Sequence, residues 1–86
     1  MRKTVSWEDR AKAELRAIDR QTAIEILRAI DNWVAKQHGD VIQLRPPRTG
    51  FRLRVGDWRV FFKPLAGKGA IHITSVLHRS KAYRVM

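Results

Sequence analysis

The spacing of apolar residues divides the chain into a helical first half and a strand-rich second half. After a short β-prone stretch at residues 3–7, apolar residues recur at helical spacing through residues 8–18 and again through residues 19–39. Asp19 is in position to cap the second helix, and Gly39 is in position to end it. The pattern therefore predicts one strand followed by two helices that form a hairpin.

The second half has the two-residue period of β-strands. Two consecutive prolines within residues 41–50 predict a loop. Residues 51–55 and 58–63 then alternate apolar with basic positions, and a last strand follows over residues 70–77, one side of it formed by Ile71, Ile73, Ser75 and Leu77. We predict a small α+β domain spanning residues 1–86, in the order β-α-α-β-β-β. Its helical hairpin packs on one face of a mostly antiparallel sheet.

The stretch RVGDWR predicts a tight β-hairpin with an unusual pair of charges. A two-residue turn at Gly56 and Asp57, of type II′ because glycine comes first, places Arg54 directly opposite Arg59. Facing like charges are destabilising. The apolar positions of both strands must face the helices, which leaves these arginines and Arg52 on the other face. Arginine binds phosphate through a rigid two-pronged fork, so this face is a candidate phosphate site. The alternative is that both side chains bend outward into solvent, where salt screens them.

Charge is distributed unevenly along the chain. The net charge of the 86 residues is +10, of which residues 1–40 contribute +1 and residues 41–86 contribute +9. Self-repulsion of this kind favours a polyanionic partner such as nucleic acid, although solubility alone is the simpler alternative.

The composition also limits where the protein acts. The absence of cysteine excludes disulfides and thiolate metal sites, and it is compatible with the reducing cytoplasm. The sequence has no signal-like N-terminal segment and no apolar run of membrane-spanning length, so we expect no membrane partner.

The hairpin and the ending HRSKAYR together resemble the RelE/ParE toxin superfamily of bacterial type II toxin–antitoxin modules. The resemblance extends over nearly the whole chain and implies a RelE-like fold and a cognate antitoxin protein as partner. It leaves two activities open: ribosome-dependent cleavage of mRNA, as in RelE-like members, or inhibition of DNA gyrase without nuclease activity, as in ParE-like members. A third alternative is a non-toxic basic module that binds nucleic acid.

Matching individual residues to the family favours the RelE-like branch. The family's basic strand, the arginine after the hairpin turn, the arginine after the last strand and the C-terminal tyrosine correspond to Arg52 and Arg54, Arg59, Arg79 and Tyr83. One position departs from the pattern, because Gly50 stands where the RelE pattern has a lysine two residues before Arg52.

RNA supplies its own nucleophile, the 2′-OH, so cleavage needs a base, an acid and cations around the phosphate. The only carboxylate after residue 40 is Asp57, so we expect neither a metal nor another cofactor. In this scheme Arg52, Arg54 and Arg59 hold the phosphate charge. Arg79 stabilises or protonates the leaving group, and either Tyr83 or His78 acts on the 2′-OH. Further substrate contacts are expected from Lys63, Lys81 and Arg84.

Overall fold

The computed structural model describes residues 5–65 and 70–82 and confirms the α+β class. Residues 3 and 4 of the predicted first strand lie outside the described residues. The elements in chain order are β1 (Val5–Trp7), α1 (Asp9–Arg16), α2 (Arg20–Lys36), β2 (Asp40–Gln43), β3 (Phe51–Val55), β4 (Trp58–Pro64), β5 (Ile71–His78) and α3 (Arg79–Ala82).

All five strands form one mixed sheet in the order β1-β5-β4-β3-β2. β1 runs parallel to β5, and the other neighbours are antiparallel, as the sequence predicted for most of the sheet. The prediction of a loop over residues 41–50 is wrong in part, because β2 pairs with β3 from Asp40 opposite Arg54 to Gln43 opposite Phe51. This edge strand has only four residues and no buried position, so it lacks the alternation that reveals a strand.

A single core fills the space between the helices and one face of the sheet. α1 packs along β5 and α2 packs against β3, and both contribute to the same apolar cluster. The buried members are Ala11 from α1, Ile26, Ile30 and Val34 from α2, and Leu53, Val60, Phe62, Ile71, Ile73 and Val76 from the sheet.

The two ends of α2 are fixed by different devices. Asp19 caps the N-terminus by accepting a hydrogen bond of 3.0 Å from the backbone N–H of Thr22, and this bond lowers the pKa of the Asp19 carboxyl below its usual value. The C-terminus ends at Gln37 in the left-handed conformation, with φ of 58°, so the predicted stop at Gly39 is two residues late. No helix in the described part of the chain is long and apolar enough to span a bilayer.

A β-bulge in β5 changes which side chains face the core. Phe61 pairs with Ser75 and Phe62 pairs with Ile73, so Thr74 is an extra residue between them. The prediction that Ile71, Ile73, Ser75 and Leu77 share one side of this strand is therefore wrong. Ile73 faces the core, whereas Ser75 lies on the opposite face. Val76 occupies the next core position instead.

Candidate nucleic-acid interface

The predicted hairpin is present in its predicted register. Val55 lies opposite Trp58, and Arg54 lies opposite Arg59. In the turn, φ is 57° at Gly56 and is not positive at Asp57. A type I′ turn requires a positive φ at both residues, so these angles agree with the predicted type II′ turn.

The two facing arginines avoid each other because their side chains take different paths. Arg59 is only 7% exposed, and its Nη1 donates hydrogen bonds to the carbonyl oxygens of Gly56 at 2.9 Å and Trp58 at 3.0 Å. The Arg54 side chain is 56% exposed, and its Nη1 lies 3.9 Å from Oδ2 of Asp40 on β2. Arg59 therefore stabilises the turn, and Arg54 is the member of the pair that solvent reaches.

Arg52 is a buried residue on the same face of the sheet. It is 9% exposed, and its Nη1 lies 3.9 Å from Oδ1 of Asp40, which places one carboxylate beside both strand arginines. The Nη1 atom is buried without a hydrogen-bond partner among the described residues. A buried cationic donor without a partner is costly, so an anion that reached this atom would gain a charge-assisted hydrogen bond. Asp40 was not foreseen, because it lies on the strand that the sequence pattern did not predict.

The predicted residues at the end of β5 lie in two different environments. Arg79 is exposed beside the hairpin turn: its backbone N–H donates to the carbonyl oxygen of Asp57 at 2.7 Å, and its Nε lies 3.7 Å from Oδ1 of that residue. His78 pairs with Trp58 on the sheet face opposite to Arg54, and the two rings meet edge to face at 5.2 Å. The N–H of Ser80 donates to Nδ1 of His78 at 3.2 Å. Tyr83 and Arg84 lie outside the described residues.

The basic face also contains an open cleft of about 700 Å³, lined by Phe61 and Leu77, which are the strand partners of Arg52 and Arg59. Phe61 lies in it with 6% exposure, outside the main core cluster, and the guanidinium of Arg48 lies 4.9 Å from the centre of its ring. Lys63 and Lys81, both predicted substrate contacts, line the same cleft. The structure thus brings these lysines together with an aromatic residue and an arginine that sequence reasoning missed. The alternation of β4 already assigned Phe61 to the basic side, but its pairing with Arg48 is non-local.

Two carboxylates from the first helical segment also border the cleft. Glu14 accepts hydrogen bonds at its Oε1 from the Ser75 hydroxyl at 2.9 Å and from the Val76 N–H at 2.8 Å. Glu8 also lines the cleft, and its Oε1 lies 3.6 Å from Nε2 of His72. Among residues 5–65 and 70–82, no three His, Asp or Glu side chains are grouped as metal ligands would be.

Replacing Glu14 with alanine is expected to destabilise the protein by about 2 kcal/mol, because the Val76 N–H loses its hydrogen-bond partner. Val76 lies on the part of β5 that extends past its pairing with β1, so β1 does not supply a replacement acceptor. Glu14→Gln keeps an acceptor oxygen and should lose clearly less. Urea unfolding of both variants measures the difference. Equal losses would show that the carboxylate charge, rather than the satisfied backbone donor, stabilises this edge.

The sequence matches the family described as the ParE toxin of type II toxin–antitoxin systems over residues 5–83. The chain therefore belongs to this family and is a type II toxin–antitoxin toxin of the RelE/ParE superfamily. A comparison with curated protein sequences finds no significant match.

Solved toxin structures have the same fold at low sequence identity. RelE in the RelB–RelE complex of Methanococcus jannaschii matches with a TM-score of 0.76 and 16% identity, over 94% of this chain and 98% of that chain. RelE in the complex from Pyrococcus horikoshii OT3 matches with a TM-score of 0.73 and 23% identity, over 95% of this chain and 100% of that chain. YoeB in the YoeB–YefM complex of Staphylococcus aureus matches with a TM-score of 0.72 and 14% identity, over 91% of this chain and 98% of that chain. These likenesses confirm the predicted RelE-like fold.

Proposed function

We propose that this toxin is a metal-independent, ribosome-dependent endoribonuclease that cleaves mRNA. The observation that carries the proposal is the cationic face of β3: a solvent-exposed Arg54 and a buried Arg52 whose Nη1 has no hydrogen-bond partner among the described residues. A phosphate seated there would receive hydrogen bonds and charge from both guanidiniums. It would replace Asp40, whose two carboxylate oxygens each lie 3.9 Å from one of these groups.

The proposed chemistry needs only groups of the protein and of the RNA. The 2′-OH attacks the adjacent phosphorus atom, the bond to the 5′-oxygen breaks, and the 2′-proton passes to a base while the leaving oxygen gains a proton from an acid. Arg54 and Arg52 stabilise the charge that develops on the phosphate oxygens. Arg79, which is exposed at the hairpin turn, is proposed to stabilise the leaving 5′-oxygen or to protonate it.

Of the two alternatives for the base, we favour Tyr83. His78 lies on the face opposite to Arg54, where it packs against Trp58 and accepts the N–H of Ser80. We therefore propose a structural role for His78 at the start of α3. Arg59 is likewise proposed to act by holding the hairpin turn, since its Nη1 donates to two backbone carbonyls there.

A cognate antitoxin is proposed as the protein partner. The RelE and YoeB proteins of similar fold are described in complexes with the antitoxins RelB and YefM. The excess of positive charge in residues 41–86 would favour an antitoxin segment of acidic character.

The test is cleavage of a defined mRNA by the purified protein, with 5′ ends mapped on programmed ribosomes and on the same RNA alone. We expect cuts only on the ribosome, within the codon in the A site. An mRNA with a single 2′-deoxynucleotide before the cut should resist cleavage there, because it lacks the nucleophile. Intact mRNA on ribosomes would overturn the proposal.

Inhibition of DNA gyrase is the second candidate, and the match to the ParE family over residues 5–83 favours it. A supercoiling assay with purified gyrase separates the two functions. Loss of supercoiling at protein concentrations that leave ribosome-bound mRNA intact would establish the gyrase alternative.

A further inference from the structure

We propose that the cleft beside Phe61 is a subsite for one nucleobase of single-stranded RNA, stacked on the guanidinium plane of Arg48. This inference deepens the proposed function and rests on it for the choice of RNA. The cleft volume of about 700 Å³ is within the range of about 300–1,000 Å³ that is usual for ligand pockets. Its rim carries the cations that a nucleotide phosphate requires, Lys63 and Lys81.

The stacking platform is held in place by the loop between β2 and β3. The N–H of Leu44 donates to the carbonyl oxygen of Gly50 at 2.9 Å, which closes the loop, and the N–H of Arg48 donates to that of Arg45 at 3.0 Å. The guanidinium of Arg48 lies over the Phe61 ring and also lines the cleft. Unstacked RNA bases commonly stack on arginine planes, so a base entering the cleft could pack on the Arg48 guanidinium, which the Phe61 ring supports from 4.9 Å away.

The carboxylates of the cleft indicate which bases fit. A carboxylate only accepts hydrogen bonds, so it pairs with an exocyclic amine such as N4 of cytosine and disfavours the carbonyl oxygens of uracil. Oxygen Oε1 of Glu14 already accepts two bonds, whereas the Glu8 side chain is 47% exposed at the cleft. Glu8 is therefore the group expected to favour an amine-bearing base over uracil.

The experiment measures binding of non-cleavable oligonucleotides by fluorescence anisotropy. Labelled 2′-O-methyl hexamers carry a single cytosine, a single uracil or no base at all on the same sugar–phosphate chain. Wild-type protein should bind the cytosine hexamer about tenfold more tightly than the base-free one, the gain of a modest stacking contact. Arg48→Lys keeps the charge but loses the plane, so it should lose this gain. Arg45→Lys, the same exchange at an exposed position of the same loop, should keep it.

The preference between pyrimidines is tested in the same assay. Wild-type protein should favour cytosine over uracil, and Glu8→Gln should reduce the ratio of these two affinities. The loss of a carboxylate raises the affinity for all three hexamers by reducing repulsion of their phosphates, so the ratio is the diagnostic quantity. Thermal unfolding of each variant verifies that its fold is retained.

Three results would overturn the subsite: equal wild-type affinity for base-bearing and base-free hexamers, retention of the gain in Arg48→Lys, or its loss in Arg45→Lys. Equal affinity for cytosine and uracil would overturn the role of Glu8. Because these oligonucleotides cannot be cleaved, binding is measured independently of the nuclease. Base-dependent binding without mRNA cleavage would overturn the nuclease alone, and cleavage without base-dependent binding would overturn the subsite alone.

Discussion

Replacing Arg54 with alanine is expected to slow mRNA cleavage on ribosomes by about a hundredfold or more and to leave the fold intact. The removal of one preorganised group that stabilises charge in the transition state typically costs a factor of about 10²–10³. The Arg54 side chain is more than half exposed, and its ion-pair contact is the 3.9 Å approach to Asp40. Exposed ion pairs of this kind contribute little to stability, about 0–1 kcal/mol.

Arg45→Ala is the matched control for this experiment, because it removes the same charge from an exposed position in the loop after β2. Single-turnover cleavage on programmed ribosomes and the midpoint of thermal unfolding are measured for both variants. If Arg54→Ala cleaves as fast as Arg45→Ala, the phosphate-binding role of Arg54 is wrong.

Arg59→Ala is less informative about catalysis than the sequence suggested. Its side chain is 7% exposed and bonds two carbonyl oxygens of the turn, so truncation alters the hairpin itself. A loss of activity in that variant would mix a change of structure with a change of chemistry. The exposed Arg54 gives the cleaner test.

The parts of the fold that were predictable have local causes. The hairpin follows from Gly56, which supplies the positive φ, and from the strict alternation on both sides of it. The cap at Asp19 and the helix after it follow from residues within one turn of each other. Such features are determined by residues that lie close together in the sequence, so a single sequence reveals them.

The parts that were missed depend on contacts between distant residues. β2 is a strand only because β3 pairs with it, and the bulge at Thr74 exists only in the register with β4. The same holds for the candidate site. Arg48 and Phe61 are 13 positions apart, and the burial of Arg52 depends on the surrounding fold. The alternation correctly assigned the basic face, but it could not distinguish the exposed Arg54 from the buried arginines.

Gly50 is the position where this chain departs from the RelE pattern, and a side chain there is expected to destabilise the protein rather than to improve catalysis. Its φ is 94°, and an added Cβ would lie 2.7 Å from the carbonyl oxygen of Phe62 and 3.1 Å from Cγ of Lys63. Backbone strain and overpacking each cost about 1–3 kcal/mol. We therefore expect Gly50→Ala to lose about 3 kcal/mol of stability, and Gly50→Lys to lose at least as much without faster cleavage.

Gly56→Ala separates the two causes, since Gly56 also has a positive φ, of 57°, but no atom within 4 Å of an added Cβ. That variant should lose only about 1–2 kcal/mol, the cost of a positive φ for a residue with a Cβ. Urea unfolding of all three variants provides the comparison. Equal losses at positions 50 and 56 would show that the collision with Phe62 is relieved by movement of β4. A stable Gly50→Lys variant that cleaves faster would contradict this expectation. It would show that the fold accepts the lysine of the RelE pattern, and that the number of positive charges at β3 limits the rate of cleavage.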